Sequence, residues 1–422
     1  MPKRRLVPVL CLLILAVAGP ARGADRGLLV VSPEAEWLAD VEPLLALRRG
    51  QGWAVTTAVL PRPDAHRLAD LVEGRLAADP RLSHVLLLGS DRSLPMTRRP
   101  NRPVQALDGA PHVYTDDPYG APGADGVPGL AVGRIPCDDA WGIGVIAAKT
   151  VRYEAARGAL SPEGFLIVGR TPASRRKALG LISPQALADG AARSVLEGFL
   201  GQIRRLTLRV RTAFDGPGAF SYEEAPAMLA EELGRRPWIW AYAGHASAEG
   251  LATYHSQLFP DAIRTSDVYI ATPAEVTGPF ISAGCDMAAP VRGGLSFVEA
   301  LLRRPGGPPA VVGFTGVNED YWVAQWFQGL LGHLDALEGP VTLGELVLQS
   351  KRDMVATPQS ELSLLVQRFM ASMGQLLPDA VADYAVVVRR NNELLVILGD
   401  PCLTVGLPPP EEVGARGPDF GE

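Results

Sequence analysis

Short apolar runs alternate along the chain with stretches of helical spacing. Residues 27–32 (GLLVVS), 53–60 and 82–89 (LSHVLLLG) read as strands, and residues 37–49 and 66–78 as helices between them. The 82–89 run is apolar without alternation, which marks a strand buried on both faces of a parallel sheet. Residues 90–126, rich in Pro, Asp and Gly, read as a loop region, followed by a strand at 130–135 and a helix at 140–156. After a boundary near 158–162 the pattern resumes. Strands are expected at 165–168, 206–214, 238–243, 280–284, 310–314 and 394–398. Helices are expected at 186–200, 222–235 with Ser221 as N-cap, 295–303, 321–337, 343–354 and 362–376. This alternation predicts a two-lobed, layered α/β/α fold. The expected division is 1–23 as a leader, 24–157 and 158–408 as two α/β lobes that are candidates for distant similarity, and 409–422 as a disordered tail rich in Pro, Gly and acid.

The leader changes the picture of where the protein works. Lys3, Arg4 and Arg5 precede an apolar stretch over 6–19, and Ala21 and Gly23 suit cleavage before Ala24. The stretch is short beside the ~20 apolar residues of a spanning helix, so a cleaved signal is favoured over an anchor. A secreted or periplasmic, cell-envelope protein without a later membrane span is expected. The formal net charge of −6 carries no basic footprint for nucleic acid.

There are four cysteines, and Cys11 lies in the leader. Three remain, so an exported chain keeps at least one thiol unpaired within itself, either as a small buried hydrophobe or as a nucleophile. His245 and Cys285 each stand just after an apolar strand. Ligands of open parallel sheets bind beyond the carboxyl ends of the strands. If these two strands are parallel neighbours, imidazole and thiol emerge at one edge, where a histidine can take the proton of a thiol that is mostly neutral at pH 7. Backbone N–H groups of Ala246 and Cys285 are candidate oxyanion donors. Such a pair also arises by chance at strand ends.

The surrounding blocks narrow the reading. Tyr242-Ala243-Gly244-His245-Ala246-Ser247 resembles the Y-x-G-H-G-S signature around the catalytic histidine of the gingipain family of cysteine peptidases, and Ile281-Ser282-Ala283-Gly284-Cys285-Asp286 resembles the strand that ends in that family's nucleophile. Residues 310–316 (AVVGFTG), with Tyr321-Trp322, resemble the wall of its substrate pocket. Residues 85–89 with Pro95, residues 130–136 (LAVGRIP) with Lys149 and Tyr153-Glu154, and residues 398–401 (LGDP) resemble further blocks, in family order over 85–403. The resemblance implies a caspase-like, mostly parallel sheet in the catalytic lobe and a cysteine endopeptidase acting on proteins or peptides, with His245 as base and Cys285 as nucleophile. Sortase-like transpeptidation and a non-catalytic peptide-binding surface protein are the alternatives. The chain departs from the family at Ala246, where the family has Gly. It also has Ala147 and Ala148 on the helix from which arginine-specific members draw part of their carboxylate pocket.

Other residues carry weaker expectations. The resemblance also implies an acid after the G-R-x-P block that orients His245, here Asp138 or Asp139 with Asp138 the better placed, the other reading being a helix-start aspartate. Trp322 is a candidate for the substrate cleft, and Trp322 and Trp326 are spaced to pack on one helical face. His255, ten residues after His245, is a candidate second base, but a solvated loop histidine is the favoured reading. Cys137 and Cys402 are either buried or paired with each other. The chemistry implied needs no cofactor. Asp116, Asp117 and Asp125 offer a structural calcium loop, although without EF-hand spacing, so a solvated loop is favoured.

Overall fold

The computed structural model describes residues 26–101, 110–123, 125–169, 205–212, 220–221, 223–251, 263–291, 293–359, 364, 368 and 383–406. The expected leader, tail, helix 186–200 and His255 lie outside the described residues, as does helix 362–376 apart from residues 364 and 368. The centre is one ten-stranded sheet: β1 (Arg26–Ser32), β2 (Trp53–Val59), β3 (Leu82–Leu88), β4 (Ala131–Ile135), β5 (Glu163–Val168), β6 (Thr207–Thr212), β7 (Trp240–Ala243), β8 (Phe280–Ser282), β9 (Val311–Phe314) and β10 (Leu395–Leu398). Their order is β2-β1-β3-β4-β10-β9-β8-β7-β5-β6.

Every pairing in the sheet is parallel except β9 with β10, where Val311 faces Leu398 and Phe314 faces Leu395. The sheet therefore has two halves of opposite polarity, and each half has its five strands in the spatial order 2-1-3-4-5. The two expected lobes share one sheet, and β10, from the end of the chain, closes the first half rather than the second. The loop region hides a hairpin, Thr97–Pro100 against His112–Thr115.

Among the described residues, nine main helices complete the layers: α1 (Ala35–Asp40), α2 (Glu42–Gly50), α3 (Ala65–Ala78), α4 (Ala140–Ala156), α5 (Ala225–Gly234), α6 (Phe297–Arg303), α7 (Asp320–Ala336), α8 (Leu343–Ala356) and α9 (Tyr384–Leu394). The helix expected from residue 222 starts at Ala225, because Pro226 supplies a first-turn residue that needs no N–H partner. On one face a single core runs from Leu28, Leu44 and Ile143 through Phe165, Trp240 and Phe280 to Phe297. The other face is divided between a core around Leu29, Leu68 and Val85 and a core around Ile281, Val312, Trp322 and Trp326. The alternate residues Ile281 and Phe280 thus bury opposite faces, as a strand's period of two requires.

Candidate active site

Strands β7 and β8 are parallel neighbours, with Phe280 beside Trp240, Ile281 beside Ala241 and Ser282 beside Tyr242. Three residues beyond that last pair stand His245 on one strand and Cys285 on the other. Both emerge at the carboxyl edge of the second half, and both are partly exposed. The two loops stay in touch past the strands. The Ala283 N–H donates to the Tyr242 carbonyl at 2.8 Å. A Cβ placed on Gly284 would fall 2.5 Å from Ala246 Cβ and 3.3 Å from the Gly244 carbonyl. The hydroxyl of buried Tyr242 donates to the His245 carbonyl and fixes the loop from below. Beyond it, Ala246–Ser247 opens a small three-stranded sheet, and the Ala248 carbonyl accepts the Phe297 N–H at 2.7 Å. The loop after β7 is therefore tied to the start of α6.

The chain turns sharply after the thiol. Asp286 has φ of 56°, a left-handed conformation that Asp tolerates better than most side chains. Its N–H donates to the Gly316 carbonyl at 3.1 Å, and the Ala288 N–H donates to the Phe314 carbonyl at 2.9 Å, binding the Cys285 loop to the end of β9. From that same strand end comes Asn318, 1% exposed, whose Oδ1 accepts the Cys285 thiol at 3.2 Å. Asn318 is not among the residues that the sequence motifs single out. The strand-end argument used for β7 and β8 points to it once β9 is known to be the parallel neighbour of β8.

Among the described residues no disulfide joins Cys137, Cys285 or Cys402. Cys137 and Cys402 are buried and unpaired, and burial pushes the Cys137 thiol up to about 12 and the Cys402 thiol well above its ordinary range. Among the described thiols, only Cys285 is even partly exposed.

Several expected site residues are placed elsewhere. Asp138 follows β4, whose carboxyl end is at the sheet edge opposite to those of β7 and β8. Its carboxylate accepts from the Ser90 N–H at 2.8 Å and from the Ser90 and Ser93 hydroxyls, so it organises the loop after β3 rather than orienting His245. The helix-cap role falls to Asp139, which accepts the Gly142 N–H at 2.7 Å. Trp322 does not line a cleft. It is fully buried on α7, parallel to Trp326 at 6.4 Å and edge-on to Phe314 at 5.9 Å. Of the three loop aspartates, two are buried and paired, while Asp125 is exposed. Buried Asp116 pairs through both oxygens with Arg134 at 2.7 and 2.9 Å, and buried Asp117 pairs with Lys351 at 2.5 Å. Their charge is already neutralised. Asp125 accepts the Val127 N–H at 3.0 Å. Among the described residues no group of three or more His, Cys, Asp or Glu is placed to hold a metal.

The remaining motif polar groups join elements. Arg134 also donates to the carbonyls of Gly89 at 2.7 Å and Leu94 at 2.6 Å. Lys149, fully buried, donates to the carbonyls of Leu302, Arg304 and Gly306 and so caps the end of α6. Arg48 bridges Glu154 and Asp400, each at 2.8 Å.

A mostly parallel α/β/α sheet carrying an accessible thiol and an imidazole on adjoining strand ends has the arrangement found in cysteine peptidases of layered α/β architecture. The chain belongs to peptidase family C25, whose family model matches residues 23–406. Its fold is similar to that of the Porphyromonas gingivalis RgpB pro- and mature-domain complex (TM-score 0.63, 16% identity, 90% of this chain and 80% of that chain). It is also similar to the Arg-specific cysteine proteinase gingipain R (TM-score 0.58, 15% identity, 92% of this chain and 80% of that chain). At such identities the likeness carries the fold and no residue roles. No curated protein sequence matches the chain.

Proposed function

We propose that this protein is an exported cysteine endopeptidase acting on protein or peptide chains, with Cys285 as nucleophile and His245 as general base. The observation that carries the reading is the β7–β8 register, which sends His245 and Cys285 out side by side at one sheet edge. Family membership supports the reaction class. In the reaction His245 takes the Cys285 proton and the thiolate attacks the peptide carbonyl. The backbone N–H groups of Ala246 and Cys285 are the proposed oxyanion donors. The imidazolium returns the proton to the departing amine, and water, deprotonated by His245, releases the acyl group.

The test is labelling of the mature protein with peptidyl acyloxymethyl ketones beside Cys285→Ala and His245→Ala. Labelling that requires both residues supports the dyad, and the favoured P1 side chain defines the pocket. Labelling confined to Cys137 or Cys402, or none under reducing conditions, refutes it and leaves a binding scaffold. Product analysis with an added amine acceptor distinguishes hydrolysis from transpeptidation. Export rests on the basic and apolar leader. Sequencing the N-terminus of protein recovered outside the cytoplasm should find it beginning near Ala24, and an intact leader in a cytoplasmic fraction would refute export. No helix among the described residues is long and apolar enough to cross a membrane.

A further inference from the structure

The thiol of Cys285 meets a group that neither of its own two strands supplies. Asn318 reaches it from beyond β9, and almost nothing in its surroundings is free to move. On its N-terminal side the Gly316 carbonyl accepts the Asp286 N–H at 3.1 Å, and the Val317 carbonyl accepts Arg390 Nη1 at 2.6 Å. On its C-terminal side the Glu319 carboxylate caps α7 by accepting the Trp322 N–H at 2.6 Å. The amide is 1% exposed, and its Nδ2 faces the Ala283 carbonyl at 3.5 Å, two residues before the nucleophile. Its Oδ1 is 3.2 Å from Sγ.

We propose that Asn318 is the positioning residue of Cys285: its Oδ1 accepts the thiol proton in the resting site and sets the rotamer from which the proton passes to His245. The inference rests on the peptidase reading above. An amide oxygen accepts from a neutral thiol but has nothing to offer a thiolate, so this contact favours the protonated sulfur. For reaction the S–H turns away from Oδ1, the S–H bond breaks, and the proton forms an N–H bond on His245. Between turnovers the sulfur is kept in the form that electrophiles and disulfides attack poorly.

The prediction runs against the usual effect of damaging a site. Asn318→Ala removes the acceptor, so alkylation of Cys285 by iodoacetamide at neutral pH should become roughly twofold to tenfold faster and its pH profile should move to lower pH. Peptide turnover should fall about tenfold in kcat with little change in KM, because the sulfur loses its fixed direction. Asn318→Asp, of the same shape, places a negative charge at the sulfur and should slow alkylation about tenfold or more. That second variant decides the matter if the alanine variant does not fold. Unchanged or slower alkylation in a folded Asn318→Ala protein overturns the proposal, since slower alkylation means that the amide donates to a thiolate. Alkylation requires no peptidase activity. A wild-type protein that turns over no peptide therefore refutes the peptidase reading, while the alkylation profiles still decide the role of Asn318.

Discussion

Gly284 and Ala246 form the tightest point between the two site loops, and they make a paired perturbation. Gly284 does not have a positive φ, so replacing it with alanine is a steric change rather than a backbone one. The added Cβ would lie 2.5 Å from Ala246 Cβ, whereas carbon atoms pack at about 3.5–4.0 Å. One loop must retreat by roughly 1 Å, and the backbone carbonyl of Gly244 at 3.3 Å limits where it can go. Overpacking of this size costs about 1–3 kcal/mol. A shift of about 1 Å between reacting groups lowers activity about 100-fold. Ala246→Gly alone removes one buried methyl and should cost about 1 kcal/mol. In the double variant the methyl has only changed sides, so Gly284→Ala should add little further cost. Denaturant unfolding of the four proteins should give a favourable coupling of at least about 1 kcal/mol. The rate of ketone labelling at Cys285 should fall in Gly284→Ala and recover in the double variant. Wild-type stability in Gly284→Ala, or simple additivity in the pair, would refute the claimed contact.

Three further outcomes are expected. His84 is buried between the Ser83 and Thr342 hydroxyls, and burial lowers its pKa from 6.5 to about 4. The neutral ring is the folded form, so its contribution is complete above pH 6.5 and is lost as pH falls through about 4, a change of about 3 kcal/mol. Urea unfolding at stepped pH should show this fall in the wild type and a shallower one in His84→Gln; parallel slopes would refute it. Asp138→Asn should leave labelling of Cys285 nearly unchanged, whereas loss of an orienting carboxylate would show a drop approaching about 10⁴-fold. Trp322→Ala should lose about 3–5 kcal/mol in thermal or denaturant unfolding. Trp322→Phe should fold with the P1 preference unaltered, and a changed preference would return Trp322 to the cleft.

Local pattern carried most of the strands. The runs at 82–89, 238–243 and 280–284 contain β3, β7 and β8, with ends misplaced by up to two residues, and the helix at 140–156 matches α4. Strand-end placement of His245 and Cys285 followed from those runs. What local pattern did not carry was long-range pairing. Leu395–Leu398 reads as an apolar strand, but nothing nearby says that it inserts between Val311–Phe314 and Ala131–Ile135 and reverses the polarity of the sheet. Without that reversal, Asp138 is expected at the same edge as the histidine. The hairpin at 97–115 was hidden because its strands are short and polar, as in Thr97-Arg98-Arg99-Pro100. Asp116, Asp117 and Trp322 are not legible locally for one reason: partners more than a dozen positions away decide whether a carboxylate is solvated or paired and whether a tryptophan is open or enclosed. Arg134 and Lys351 settle the carboxylates, and the core to which Ile281 and Leu346 belong encloses the tryptophan.

The single antiparallel seam between β9 and β10 gives the molecule an approximate internal dyad. Two copies of one five-strand unit, meeting through their fifth strands, would build the same ten-stranded sheet, as an isologous dimer does. Under that operation the carboxyl edge bearing Cys285 maps onto the carboxyl edge bearing Cys137, and a thiol follows the fourth strand in both. Only one copy is open. Cys137 is 1% exposed, with Arg303 and Asp139 joined at 2.7 Å beside it. A tandem arrangement of this kind lets one edge bear reactive chemistry while its counterpart is free to be filled for stability, so substitutions at equivalent positions of the two halves should have unlike consequences.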